Sequence, residues 1–95
     1  MIRIERVDMG NRVFARELRS LPREIREQAV QSISSLTANP MPARIRFEKL
    51  SSYKNPSIYT IHITHNHSHK ASFELISTTA RMRRVGTHKE IDRAP

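Results

Sequence analysis

Hydrophobic and polar positions follow two rhythms along this chain, and the change between them divides it. Ile2 and Ile4 alternate with Arg3 and Glu5, the two-residue period of a half-buried strand. The next stretch is helical. Asp8 stands where it could cap a helix in which Phe14, Leu18 and Leu21 fall at i, i+4 and i+7, one apolar stripe. Pro22 breaks that helix and suits the first turn of a second. There Ile25, Ala29, Ile33 and Leu36 hold helical spacing up to Asn39-Pro40, which ends it. So short a connection predicts an antiparallel hairpin of two helices.

Beyond Pro42 the period becomes two. Ile45 and Phe47 alternate with Arg44, Arg46 and Glu48. Tyr59, Ile61 and Ile63 alternate with Thr60, His62 and Thr64, and Ala71, Phe73 and Leu75 with Lys70, Ser72 and Glu74. Met82 and Val85 mark a last strand whose broken period predicts a bulge near Arg84. Turn-like residues fill Ser51 to Ser57, Asn66 to Ser68 and Ser77 to Thr79. The predicted fold is α+β over a single domain, 1–95: an N-terminal strand, the helix hairpin, then a four-stranded antiparallel sheet. One sheet face lies under the helices and the other is open. Gly86, one of 2 glycines, is expected to bend the last strand and aim His88 into a cleft.

Charge sharpens this picture. Seventeen Lys and Arg against nine Asp and Glu give a net +8, with five histidines besides. Such an excess on a short chain attracts polyanions, with nucleic acid the leading class and an acidic protein second. With no cysteine, disulfides and thiolate metal sites are excluded. No apolar run approaches the roughly 20 residues of a membrane span, and Met1 to Arg6 has no signal-peptide character, so a cytoplasmic protein is expected.

The alternation sends Thr60, His62, Lys70 and Ser72 to the open face, away from the helices. Arg44, Arg46 and Glu48 leave the buried face of their strand, as Arg81 and Arg83 leave theirs. Histidines and a glutamate among cations supply what RNA cleavage without metal requires. A base takes the proton of the ribose 2′-OH, an acid protonates the leaving 5′-oxygen, and fixed cations stabilise the phosphorane. Glu48 or His62 can serve as base and His88 as acid, with Lys70 and Arg81 or Arg83 as clamp. Lys49, Arg84 and Lys89 extend the expected RNA-binding set. No cofactor is needed. His65-Asn66-His67-Ser68-His69 has alternate histidines, a spacing that can ligate zinc or nickel. Turn-forming Asn66 and Ser68 and the lack of a completing ligand make it instead an exposed cationic hairpin tip. Arg16, Arg19, Arg23 and Arg26 are expected on a solvated helix face, paired with Glu17, Glu24 and Glu27.

Several segments, in this order and spacing, resemble the RelE/ParE superfamily of toxin–antitoxin toxins. They are Leu21-Pro22, Leu36 with Asn39-Pro40, Glu48-Lys49-Leu50, Ile58 to Ile63, and Val85-Gly86-Thr87-His88-Lys89-Glu90-Ile91. The resemblance implies a toxin held in check by an acidic antitoxin and, in the RNA-cleaving branch, an mRNA interferase that can act on the ribosome. Thr60 and His62 stand where that branch carries two lysines. Lys70 takes the place of the arginine that holds the scissile phosphate, and His88 that of the arginine after the tail glycine. YoeB-like relatives, with a glutamate where Glu48 stands and a histidine near His88, are similar in kind, as is the histidine-dependent RegB. Asp92 replaces the family's tail tyrosine. The gyrase-poisoning, non-catalytic ParE branch and a plain RNA-binding role are the alternatives. The antitoxin is expected to neutralise Arg44, Arg46, Lys70 and Arg83 and to anchor between the Phe14/Leu18 and Ile25/Ile33 stripes.

Overall fold

The computed structural model describes residues 2–95. Its elements are β1 (Arg6–Asp8), α1 (Arg12–Ser20), α2 (Arg23–Ser34), β2 (Glu48–Lys49), β3 (Tyr59–His62), β4 (His69–Ile76), β5 (Thr79–Thr87) and α3 (His88–Arg93), with 3-10 turns at Ser35–Thr37 and Ala43–Ile45. The strands form one five-stranded sheet in the order β1-β5-β4-β3-β2. β1 runs parallel to β5, and the other neighbours are antiparallel. The α+β layout is as the periodicity predicts, with β1 completing the same sheet.

The main core lies between this sheet and the first two helices. Phe14 of α1, Ala29 and Ile33 of α2, and Leu36 meet Ile61, Ala71, Phe73, Ala80, Met82 and Val85, all buried. Tyr59 stacks on Phe73, ring centroids 5.6 Å apart, and Phe47 lies tilted against both. The predicted bulge is present: Ser72 faces Arg84 and Phe73 faces Met82, so Arg83 is the extra residue.

Several local expectations are corrected. Pairing begins at Arg6, not Ile2. Ile4 enters the core while Ile2 stays exposed, because Glu5 and Arg6 both donate to the Thr78 carbonyl and set the register there. Asn11, not Asp8, caps α1 by accepting from the Phe14 N–H; Asp8 is still paired to Arg81 in the sheet. Pro22 is the N-cap of α2 rather than its first residue. The expected strand through Arg44 shrinks to Glu48–Lys49, because a 3-10 turn and a left-handed Arg46 (φ 48°) interrupt it.

The largest correction concerns the open face. α3 folds back against β4 and β5 and buries Ile91, which lies outside the main core cluster. Lys70 is therefore buried, to 4% exposure, and Thr60 and Ser72 are buried as well. Of the expected anchor between the helices, Phe14 and Ile33 are interior and only Leu18 and Ile25 remain half-buried. An apolar groove of about 760 Å³ lies instead between Ile2–Glu5, Thr37–Met41 and Phe47. No helix is long and apolar enough to cross a membrane among the described residues.

Candidate active site

The β3–β4 hairpin builds one wall of the site. Thr64 Oγ1 accepts from the N–H groups of Ser68 (2.9 Å) and His69 (3.2 Å), which closes the tip. His67 takes a left-handed conformation (φ 60°) and turns back toward the strand. Its Nδ1 lies 2.9 Å from Nδ1 of His62, so one ring donates and the other accepts.

The start of α3 builds the other wall. Thr87 Oγ1 accepts from the Glu90 N–H while the Glu90 carboxylate accepts from the Thr87 N–H, a reciprocal cap. Glu90 comes so close that a Cβ at Gly86 would sit 2.9 Å from its Oε1. Gly86 thus serves a close approach within β5, and its φ is not left-handed. The His88 N–H donates to the Ser68 carbonyl at 2.9 Å, which ties α3 to the hairpin tip.

These walls bring three histidines together. The His62 ring stands edge-on to His67 (centroids 4.8 Å) and to His88 (5.3 Å, 79° between planes). His88 Nδ1 lies 2.7 Å from Asp92 Oδ2, and Lys70 Nζ lies 2.7 Å from Asp92 Oδ1. Both Nδ1 atoms are engaged, so each Nε2 of His62 and His88 is left for a ligand. A cleft of about 410 Å³ adjoins His62, lined by Arg44, Arg46, Thr64, His65 and His67.

Electrostatics separates the roles of these groups. Burial holds His62 below its usual pKa of 6.5, helped by the positive fields of His67, Lys70, His88 and Arg46. It is therefore neutral near pH 7 and able to accept a proton. The hydrogen bond from Lys70 holds the Asp92 carboxyl below its usual 3.8, against a smaller desolvation penalty, so it stays ionised.

Other sequence-predicted site residues lie apart from the histidines. Glu48 is exposed on the two-residue edge strand opposite Thr60, and Lys49 beside it is exposed. Arg44 reaches the Ser32 and Ser35 hydroxyls only at 3.5 Å. Arg83 is bound to Glu74 at 3.1 Å, and Arg81 is shared between Glu74 (3.5 Å) and Asp8 (3.9 Å). That cluster sits four residues up β4 from Lys70, about 13 Å at strand rise. Arg84 grips Glu17 at 2.6 Å and the Ala94 carbonyl at 2.8 Å. Glu17 also accepts from the Val85 N–H beyond the end of β1, so it closes a bare sheet edge instead of pairing along its helix. Arg23 and Glu27 do pair at i,i+4. Lys89 projects from α3 into solvent.

His67 and Asp92 are the members of the cluster that residue-by-residue reasoning missed. The i,i+4 spacing of His88 and Asp92 was the available signal, readable only once that stretch is known to be helical. His65, His67 and His69 do not converge: His65 is exposed, His67 faces His62, and His69 Nδ1 meets the Ser68 hydroxyl at 2.7 Å. No group of three or more side chains suited to a metal lies among the described residues.

No protein-family model and no curated protein matches this chain. Solved structures do. The archaeal RelE–RelB complex from Pyrococcus horikoshii OT3 aligns over 92% of this chain and 96% of that one, with a TM-score of 0.66 and 14% identity. The RelB–RelE antitoxin–toxin complex from Methanococcus jannaschii aligns over 90% and 96%, with a TM-score of 0.62 and 24% identity. The chain has a RelE-like fold.

Proposed function

We propose that this protein is the toxin of a toxin–antitoxin pair and a metal-independent endoribonuclease. The observation that carries this reading is the edge-to-face pair of His62 and His88, each with Nε2 free, beside a cationic cleft. His62 takes the proton of a ribose 2′-OH, whose oxygen attacks the adjacent phosphorus. His88, protonated, gives its proton to the departing 5′-oxygen as the P–O5′ bond breaks. The products are a 2′,3′-cyclic phosphate and a 5′-hydroxyl. Arg44 and Arg46 flank His62 and hold the phosphates, with exposed Lys49 and Lys89 extending the track, free or ribosome-bound RNA being the substrate. Lys70 is buried and acts through its field rather than by contact. Arg81, Arg83 and Arg84 are neutralised by carboxylates, and this reading gives them a structural role. The base is assigned to His62 over Glu48, because His62 is the one set beside His88.

The net charge of +8 suits both RNA and an acidic antitoxin, and the structural neighbours are complexes with RelB. The test is incubation of purified protein with total RNA in the presence of a chelator and, separately, with translating ribosomes in their magnesium buffer. Cleavage by the wild type, reduced about 10²–10⁴-fold in folded His88→Ala, is the expected result. Growth arrest without RNA cleavage would point to inhibition by contact instead.

A further inference from the structure

The carboxylate of Asp92 lies between a buried cation and a histidine. We infer that Asp92 is a positioning residue: it bridges the buried Lys70 to His88 and leaves His88 Nε2 as the free ring nitrogen beside His62. This rests on the reading of His88 as a proton donor and names what sets its geometry.

The argument starts from Lys70. It lies in the middle of the sheet, paired in register with His62 on one side and Gly86 on the other, so its backbone is held by two neighbouring strands. At 4% exposure its ammonium needs a counter-charge, and Asp92 Oδ1 at 2.7 Å supplies one. That bond fixes the carboxylate and turns Oδ2 toward His88, one helical turn earlier on the same face of α3. Because Oδ2 can only accept, His88 Nδ1 must carry the hydrogen. Nε2 is then the atom that exchanges protons with a substrate. The carboxylate also stabilises the imidazolium that an acid must form before it donates. Sharing the carboxylate with Lys70 keeps it ionised. His88 also faces the His62 ring, and its N–H is tied to the Ser68 carbonyl, so its place does not depend on Asp92 alone. Asp92 sets tautomer and orientation.

The experiment reads the histidine directly in the full-length protein. Nitrogen-15 NMR of wild type should show neutral His88 in the Nδ1–H form. In Asp92→Asn the Nδ1–H preference should weaken. Cleavage should fall about ten- to a hundredfold, the cost of a misplaced catalytic group. Asp92→Glu should recover part of it. Asp92→Asn leaves Lys70 unpaired, so the double variant Lys70→Met/Asp92→Asn provides a folded protein without the carboxylate. Lys70→Met alone should keep the Nδ1–H form, since the carboxylate then serves His88 alone. An unchanged His88 tautomer in the double variant would overturn the inference. An altered His88 in a protein whose wild type cuts no RNA would uphold the Asp92 contact and sink the endoribonuclease reading.

Discussion

His62 can act as a base only while it is neutral, and its surroundings make the neutral form the stable one. Its pKa is lowered first by burial and then by the positive charges of His67, Lys70, His88 and Arg46. A depressed histidine binds protons less readily folded than unfolded. Its contribution to stability is therefore complete above about pH 6.5 and is lost as pH falls through the folded value. The low-pH limb of cleavage should lie below 6.5 for the same reason. His67→Ala removes a positive neighbour and opens His62 to water, both of which raise its pKa. A pH–rate profile of that variant should show the limb moved to higher pH; a limb that stays in place would exclude His62 as the titrating base. At this scale the alternation in β3 and β4 located His62 and Lys70 correctly on the face away from the helices. It said nothing of Asp92 as a partner, because a buried lysine's counter-charge is chosen by tertiary folding. Arg81 and Arg83 look free in sequence, and only the register of β4 against β5 brings Glu74 to them.

Among the elements, α3 decides the most. It has six residues, and its buried apolar residue is Ile91, so it would not be stable alone. The Thr87–Glu90 cap and the tie to Ser68 hold it on the sheet, where it covers Lys70 and delivers His88. Thr87→Ala should cost about 1 kcal/mol, the usual worth of such a cap, in chemical denaturation. Faster amide exchange over residues 88–93 should accompany it. Equal exchange in the two proteins would show that the helix is held without the cap. The two longer helices and strands β3 and β4 were legible because each carries a repeated apolar period, and β5 from Met82 and Val85 despite its broken one. The bulge was legible too, from the broken spacing of Met82 and Val85. α3 was not, since one apolar residue defines no period. The Arg44-to-Glu48 segment misled because Ile45 and Phe47 do reach the core, but from a turn with a left-handed Arg46 rather than from a strand.

For the whole molecule the question is where the excess positive charge acts. Cations at the Glu74 end of the sheet are balanced by carboxylates, whereas Arg44 and Arg46 beside His62 meet no carboxylate within salt-bridge distance among the described residues. RNA affinity should fall steeply with ionic strength through counterion release. Arg46→Ala should flatten the slope of log affinity against log salt by about one unit, and Arg83→Ala should leave it unchanged. Equal slopes for both would put the RNA track elsewhere on the surface. The central claim is that paired histidines drive attack by a ribose 2′-OH without metal, and one comparison tests it most directly. A single RNA sequence and its 2′-O-methyl counterpart are incubated with the protein in excess chelator, and the product ends are analysed. The account predicts cleavage of the RNA alone, leaving 2′,3′-cyclic phosphate and 5′-hydroxyl ends. Cleavage of the 2′-O-methyl strand, or none of either strand by folded protein, would contradict it.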